Sequence, residues 1–278
     1  MGPPGGITGA EIVSADSRQV YRGMDIATAK PSAEERRRIP HHMIDVADPS
    51  ERYDVSRYQR EARAALGAIV ARGATAIVVG GTGLYVRALL DGLDLAALPR
   101  DESVRASLER DAEREGGAAM HRRLAVLDPD AAAAVDARNV RRVIRYLEVA
   151  TLAGSISALW RHGDRIAAAK IGLEPPRDVL AERIEERVRQ MVSRGVLEET
   201  ARLLASGIDL TLPSMTGHGY PHWAAHLRGR IDLETAVALT VRDTKAYSKR
   251  QMTWFRKDPD VRWCDPTKQD PLLLLEAA

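Results

Sequence analysis

The stretch EIVSADSRQVYRGMDIATAKP, residues 11–31, decides the fold of this chain. It opens with a short apolar run, residues 12–15, which predicts a buried strand. Asp16 and Ser17 follow at once, and arginines and a lysine come after them. An acidic and a hydroxyl side chain directly after a buried strand are typical of a ligand site rather than of a core.

Further strands and helices are predicted along the chain. Apolar runs at residues 43–46 and 74–79 predict two more strands, and residues 55–71 between them have a helical pattern. Later helices are predicted over residues 177–206 and 232–256. Strands that alternate with helices predict an α/β protein, with a parallel sheet and helices on both of its faces.

One segment lacks any strand pattern. Residues 99–163 are rich in alanine and arginine, and the helical pattern breaks only at EGGAA and LDPDA. We therefore predict a helical subdomain inserted at 99–163. The α/β core would then comprise residues 1–98 and 164–278.

Composition limits the class of protein. Lys and Arg total 41 against 39 Asp and Glu, so any affinity for anions must come from local clusters of charge. Cys264 is the single cysteine, which excludes an internal disulfide and fits a reducing cytosol. No apolar run approaches the ~18 residues of a membrane span, and no signal-peptide core is present. We expect a soluble cytoplasmic protein.

A second strand end has its own pattern, VVGGTGLYVRALL. Gly80 and Gly81 are predicted to turn after the strand, and Thr82 to open a helix. Ligands of open parallel sheets lie beyond the carboxyl ends of the strands, and a helix N-terminus with a hydroxyl suits a phosphate. An alternative stays open at this point: Asp16 caps a turn and the two glycines form only a tight turn.

Two helices carry clustered arginines. In NVRRVIRYLEVA the apolar residues form one stripe and Arg141, Arg142 and Arg145 lie on another face, which is either a solvated face or an anion-binding one. In RIEERVRQMV, Arg187 borders the apolar stripe, so it either reaches into a cleft or pairs with Glu186.

The C-terminal helix and a histidine repeat each allow two interpretations. Residues 242–257 hold six basic side chains and one acid, with three aromatic rings among them, which indicates nucleic-acid contact or simply a packed helix. His218, His222 and His226 recur every four residues, as metal ligands on a helix do. Gly219 and Pro221 interrupt that stretch, however, and no carboxylate or cysteine nearby completes a tetrahedral set.

Five segments together resemble one family. SADSRQVYRGMDIATAKP, GGTGLYVRALLDGL, RRVIRYLEV, RIEERVRQM and KRQMTWFR occur in the order seen in the tRNA dimethylallyltransferases, also called tRNA isopentenyltransferases. The resemblance extends from Glu11 to about Asp265. It implies a fold like that of the P-loop nucleotide kinases, with a helical insertion that grips the anticodon arm. It also implies transfer of a dimethylallyl group from dimethylallyl diphosphate to N6 of adenosine 37 in tRNA, with Mg²⁺ as cofactor. We also expect a monomer that has no membrane partner.

The resemblance also implies roles for individual residues. Asp16 corresponds to the general base, and Arg187 to an arginine on the diphosphate; both count as catalytic. Residues that would contact tRNA, besides Asp16 itself, are Ser17, Arg18, Gln19, Thr82, Arg105, Arg141, Arg142 and Arg145.

Two features depart from the family pattern. The family begins with a strand and a P-loop, G-x-x-x-x-G-K-[ST], whereas here MGP resembles only the start of that loop and no GK[ST] follows. We therefore expect that the first strand, the P-loop and its helix are missing and that turnover is impaired. The alternative is a non-catalytic tRNA-binding remnant of the family. In addition, Thr216 and Pro221 stand where the family usually has basic residues.

Overall fold

The computed structural model describes residues 9–93, 98–156, 164–217 and 219–276. The chain divides into two compact units. The first comprises Met1–Leu89 together with Ala167–Ala278, and the second is Leu90–Ile166, which contains the whole of the predicted insertion. The residues MGP lie outside the described part of the chain.

The first unit begins with a three-stranded parallel sheet. Its strands are β1 (Glu11–Ser14), β2 (His41–His42) and β3 (Ala76–Val79), in the order β2–β1–β3. Both pairings are parallel, and Ser14 of β1 stands opposite Val79 of β3. The predicted parallel α/β sheet is therefore confirmed, and its central strand is the one that leads into Asp16.

The strand predicted at residues 43–46 was wrong. The chain pairs with β1 only at His41–His42, and Met43 and Asp45 then adopt φ angles of 64° and 58°. Those left-handed conformations end the extended chain. They turn the Asp45 carboxylate toward Lys30, whose ammonium donates to it at 2.6 Å. A buried lysine needs such partners, and this need overrides the apolar pattern.

Three helices complete the first part of this unit: α1 (Ala33–Arg38), α2 (Val55–Ala71) and α3 (Gly83–Leu90). Helix α2 begins after Asp54, whose carboxylate accepts hydrogen bonds from the amides of Ser56 and Arg57. Its bounds are those predicted from the sequence. Helix α3 follows Thr82 directly, so the glycine turn and the helix start lie where they were expected.

The second unit is mainly helical. Its helices are α4 (Glu102–Glu115), α5 (Gly117–Leu127), α6 (Pro129–Ala134) and α7 (Val140–Ala153). Both predicted breaks are confirmed. Gly116 ends α4 with a φ of 82°, which favours glycine, and the Asp128 carboxylate caps α6 by accepting from the amide of Ala131. The apolar stripe of α7 packs against α4 and α5 in one core.

The first unit resumes with a second parallel pair of strands, β4 (Lys170–Leu173) and β5 (Val261–Cys264). Its remaining helices are α8 (Arg177–Ser193), α9 (Val196–Ala205), a 3₁₀ helix (Pro213–Thr216), α10 (Tyr220–Leu227), α11 (Leu233–Phe255) and α12 (Leu273–Glu276). The single helix predicted over residues 177–206 is two, because Gly195 turns the chain at a φ of 94°. Among the described helices, none has the length and apolar character of a membrane span.

Candidate active site

Asp16 lies just past the carboxyl end of the central strand, and one of its oxygen atoms closes a turn. Its Oδ1 accepts hydrogen bonds from the amides of Arg18 at 2.7 Å and Gln19 at 3.3 Å. No hydrogen bond within the described residues involves Oδ2. The turn-cap interpretation is therefore correct for Oδ1. The side chain is half-buried and held by these bonds, and its second carboxylate oxygen, Oδ2, is left for a ligand.

Thr82 joins the two strand ends beside Asp16. The Ser17 amide donates to Thr82 Oγ1 at 3.0 Å, and the Thr82 hydroxyl lies 3.3 Å from Ser17 Oγ. The Thr82 amide donates to the carbonyl of Ala15 at 3.1 Å, and the Ala15 amide donates to that of Val79 at 2.7 Å. The structure thus brings together Asp16, Ser17 and Thr82, as the parallel strands predicted.

The glycines of GGTG allow this close approach. A Cβ atom on Gly80 would lie 2.3 Å from the carbonyl oxygen of Ala15, so only glycine fits there without moving the central strand. A Cβ on Gly81 would lie 1.8 Å from Nε2 of Gln251, and one on Gly83 would lie 2.1 Å from the indole of Trp254. The turn is therefore enclosed by β1 on one side and α11 on the other.

Gln251 and Tyr247 of α11 belong to the site, although sequence analysis did not assign them to it. The Gln251 amide donates to the carbonyl of Gly81 at 3.0 Å, and the Tyr247 hydroxyl lies 3.4 Å from the same oxygen. Burial, and next the negative charge of Asp16, raise the pKa of Tyr247, so its hydroxyl stays protonated. Tyr247 and Trp254 favour the packed-helix interpretation of α11. The sequence did contain a signal for such a contact, because three glycines within four residues indicate that another part of the chain approaches the backbone closely.

Arg18 binds the 3₁₀ helix. Its guanidinium donates to the carbonyl of Pro213 and, at 3.0 Å, to the hydroxyl of Thr216. Burial lowers the pKa of Arg18, and the charges of Tyr21 and Asp16 oppose that effect. Thr216, one of the departures from the family pattern, is thus an acceptor for a motif arginine.

Gln19 is held by internal contacts as well. Its Oε1 accepts from the hydroxyl of Ser14 at 3.0 Å, and its Nε2 donates to the carbonyls of Thr28 and Ala29, both at 3.3 Å. The expected tRNA contacts of Arg18 and Gln19 remain predictions. The structure shows both side chains bound within the first unit.

Glu199 supports the rest of the motif and was missed by sequence analysis. This carboxylate on α9 is 1% exposed. It accepts hydrogen bonds from the amides of Asp25 and Ile26, both at 2.7 Å, from the amide of Ala27 at 3.2 Å, and from the hydroxyl of Tyr220 at 2.8 Å. An acid on the buried stripe of a helix, three residues after Val196, was the signal in the sequence.

The second unit holds the predicted arginines in two different ways. Arg105 and Arg145 both donate to Oε2 of Glu148, from Nε at 3.1 Å and from Nη1 at 2.7 Å respectively. Arg142 donates to the hydroxyl of Tyr146 at 2.8 Å and stays exposed. Arg141 is exposed and makes no hydrogen bond or ion pair with any described residue.

Arg187 lies exposed on α8, and its guanidinium has no hydrogen bond or ion pair within the described part of the chain. Helix α8 packs on α11, and Lys245 donates to Glu185 across that contact at 2.6 Å. Arg187 is therefore a cation available for an anion, and its predicted role on a diphosphate stays a prediction.

The histidine repeat does not converge on one point. His222 Nε2 contacts Asp243 Oδ2 at 2.8 Å, and His226 Nδ1 contacts the carbonyl of Ile231 at 3.1 Å. His218 lies outside the described residues. Over the described ranges, no three His, Cys, Asp or Glu side chains come together as metal ligands. The expected Mg²⁺ therefore stays a prediction.

Comparisons with known proteins agree with this geometry. The chain resembles, with a TM-score of 0.69 and 41% identity, the crystal structure of the full-length tRNA isopentenylpyrophosphate transferase from Bacillus halodurans, over 96% of this chain and 86% of that one. It also resembles a eukaryotic dimethylallyltransferase acting on tRNA, with a TM-score of 0.74 and 25% identity, over 94% of this chain and 69% of that one. These structures place the fold in the P-loop-like α/β class with helical parts.

Sequence comparison then identifies the family. The family model described as IPP transferase matches residues 19–258. The tRNA dimethylallyltransferase of Thermomicrobium roseum is 46% identical over 268 residues, 94% of this chain and 80% of that protein. That of Geobacter metallireducens is 44% identical over 271 residues, 95% of this chain and 87% of its own length. The chain belongs to the IPP transferase family, and the resemblance found in its motifs is confirmed.

Proposed function

We propose that this chain transfers a dimethylallyl group from dimethylallyl diphosphate to N6 of adenosine 37 in tRNA. One observation carries the proposal: Asp16 is fixed at the end of the central strand with Oδ2 unpaired among the described residues, beside the Thr82 hydroxyl. The relatives named above are tRNA dimethylallyltransferases, which supports the same reaction here.

The chemistry requires a base at this position. The N6 amine is a poor nucleophile because its lone pair is delocalised into the purine ring. In the proposed step N6 attacks the allylic carbon and the N–C bond forms. The C–O bond to diphosphate breaks, and its electron pair leaves with the diphosphate. Asp16 accepts the proton from N6, and such positioned bases typically contribute about 10²–10⁴ in rate.

Two further groups have proposed roles around the reacting atoms. Arg187, an exposed cation, would bind the leaving diphosphate, where fixed positive charge stabilises the developing anion. Mg²⁺ would come with the diphosphate, because this ion keeps water and phosphate ligands and needs only one or two carboxylates from a protein. No step of the reaction is assigned to the ion.

The proposed RNA substrate is the anticodon arm. A base inside a stacked loop must leave the stack before its exocyclic amine can reach Asp16. We assign the contact with the arm to the second unit, where Arg141 and Arg142 are exposed, and to the motif residues Ser17 and Thr82. The protein would act as a monomer in the cytoplasm, the compartment in which its tRNA substrate lies.

The test is mass spectrometry of nucleosides from unmodified tRNA with adenosines at positions 36 and 37. The tRNA is incubated with dimethylallyl diphosphate, Mg²⁺ and one of three proteins. These are the chain itself, its Asp16→Asn variant, and a version with a strand–P-loop–helix segment placed ahead of Glu11. No G-K-[ST] occurs in the 278 residues, so we propose lower turnover for the chain alone than for the extended version.

The amount of prenylated adenosine made by the chain and by the extended version distinguishes the possibilities. Prenylated adenosine from the extended version alone supports the reaction and the need for a P-loop. Product from the chain at the same rate supports the reaction but contradicts the proposed impairment. If folded protein of both kinds binds tRNA and makes no product, the transferase proposal is wrong, and a non-catalytic tRNA-binding role replaces it.

A further inference from the structure

One buried carboxylate in the second unit is shared by two arginines. Glu148 on α7 is 1% exposed, and its Oε1 accepts from the amide of Asp101 at 3.0 Å. Its Oε2 accepts from Nε and Nη2 of Arg105 and from Nη1 of Arg145. Arg145 Nη1 also donates to the carbonyl of Pro99 at 2.9 Å. The start of α4 and the middle of α7 are joined at this point.

The charges in this cluster do not cancel. Burial alone would raise the pKa of Glu148, but the hydrogen bonds from Arg105 and Arg145 outweigh it and the pKa lies below its ordinary value. The carboxylate therefore stays ionised near neutral pH. One arginine would neutralise it, so the second leaves a net charge of about +1. The guanidinium side chains of Arg105 and Arg145 are only 14% and 22% exposed, so this excess charge is held at a nearly fixed place.

Both guanidiniums retain donors at their exposed edges. Arg105 Nη1 and the Nε and Nη2 atoms of Arg145 have no hydrogen-bond partner within the described residues, and none of them is among the buried unpaired atoms. Because both groups bind the same oxygen, Glu148 Oε2, the two guanidiniums are neighbours. Two neighbouring guanidiniums that keep free N–H donors and a net charge of about +1 suit the single negative charge of one phosphodiester.

We propose that Glu148 is a positioning residue that holds Arg105 and Arg145 together as a rigid binding site for one backbone phosphate of the RNA. Glu148 itself does not touch the RNA. The assignment rests on the proposed function, in which the second unit contacts the anticodon arm. Arg141 stands one helical turn before Arg145 on α7, and such neighbours lie on the same face, so it extends this site with an exposed cation.

The competing explanation is that Glu148 merely neutralises two structural arginines. The two explanations predict opposite signs for Glu148→Gln. That change removes one negative charge, so a purely electrostatic account predicts tighter RNA binding. If Glu148 positions the arginines, the same change frees both side chains and RNA binding weakens in spite of the added positive charge.

The experiment measures binding of a fluorescein-labelled anticodon stem-loop RNA by anisotropy at several KCl concentrations. For Glu148→Gln we expect about a tenfold loss of affinity, the usual effect of losing a hydrogen bond to a charged group. The dependence of log K on log[salt] should become shallower by about 0.7, because one phosphate is no longer neutralised by the protein. Arg114→Gln is the control, because it removes a 69% exposed cation of the same unit that pairs with Asp111; we expect less than a twofold change.

A variant that lacks both arginines shows whether Glu148 acts on RNA binding through them or through a general loss of structure. In an Arg105→Gln, Arg145→Gln background, adding Glu148→Gln should change the affinity by less than about twofold, because Glu148 has no arginine left to position. Should Glu148→Gln fail to fold by circular dichroism, Arg145→Lys replaces it, since Glu148 then keeps Arg105. Lysine conserves the charge but not the fork, so affinity should fall nearly as far as in Arg145→Gln. Equal affinity of Arg145→Lys and the wild type would overturn the proposal.

The outcomes distinguish this proposal from the proposed function. Wild-type chain that binds the stem-loop, with Glu148→Gln equal or tighter, contradicts the positioning role alone. Folded wild-type chain that does not bind the stem-loop at any salt concentration contradicts the tRNA assignment, and the phosphate site with it. Weaker binding by Glu148→Gln with a shallower salt dependence supports both.

Discussion

Gly80→Ala tests whether the site is built on direct contact between the ends of two strands. The new Cβ would lie 2.3 Å from the carbonyl oxygen of Ala15, 2.4 Å from its carbonyl carbon and 2.8 Å from its Cα. All three distances are below 3.0 Å, a separation that real Cβ atoms essentially never show. The obstructing atoms are backbone of the central strand, so no side chain can rotate away to make room.

The expected loss of stability follows from these contacts. Overpacking in a closely packed region typically costs about 1–3 kcal/mol. Moving Ala15 also strains the hydrogen bonds that join it to Val79 and Thr82, and each net bond contributes about 1 kcal/mol. We therefore expect a loss near the upper end, about 3 kcal/mol, which corresponds to a decrease in Tm of about 6–12 °C in a domain of some 200 residues.

The assay is urea unfolding followed by circular dichroism, with two glycine controls. Gly67 lies inside α2 and an added Cβ would meet nothing within 4 Å, so Gly67→Ala should stabilise the helix by up to about 1 kcal/mol. At Gly81 the three atoms nearest to the Cβ would all belong to the amide end of the Gln251 side chain, which can rotate. Gly81→Ala should therefore destabilise the protein less than Gly80→Ala.

The urea midpoints of Gly80→Ala, Gly81→Ala and Gly67→Ala together test whether the two strand ends are in contact. If Gly80→Ala unfolds at the wild-type midpoint while Gly67→Ala shifts upward, the assay is sensitive and the strand ends are not in contact as described. If Gly80→Ala and Gly81→Ala lose the same stability, the distinction between a backbone and a side-chain obstacle is wrong.

Three further predictions concern charged side chains. Asp16→Asn keeps an acceptor at the turn but not the base, so prenyl transfer by an active form should fall about 10²–10⁴-fold; an equal rate in the nucleoside assay would exclude Asp16 as the base. Glu199→Ala removes the buried acceptor of the amides of residues 25–27 and of the Tyr220 hydroxyl and should cost about 3 kcal/mol in urea unfolding, whereas Tyr220→Phe, which removes one of the four bonds, should cost about 1 kcal/mol. The pKa of Glu148 is lower folded than unfolded, so its stabilising contribution is present above its ordinary value of 4.5 and is lost as the pH falls below it. The difference in free energy of unfolding between wild type and Glu148→Gln should therefore shrink as the pH falls below 4.5. A difference that stays constant from neutral pH into acid would contradict the ion-pair assignment.

Local patterns predicted the helices well. The bounds of α2, the long α11 and the breaks at Gly116 and Asp128 depend on periodicity and caps that lie within a few residues of one another. The split at Gly195 was missed, because the apolar stripe continues on both sides of a single glycine. The strand predicted at residues 43–46 failed for a different reason. Its apolar pattern was overridden by the contact of Asp45 with Lys30, fifteen residues away.

By itself the sequence determined the family, the α/β class and the place of Asp16 after the first described strand. Each of these depends on motifs or on a strand end that lie within short segments of the sequence. Only the tertiary structure decided what surrounds that aspartate. Gln251 reaches Gly81 across 170 residues, Glu199 binds the amides near Asp25 across 174, and Glu148 joins Arg105 across 43. No periodicity encodes such pairs. Each exists because a buried polar group must find a partner, and folding alone determines which partner lies within reach.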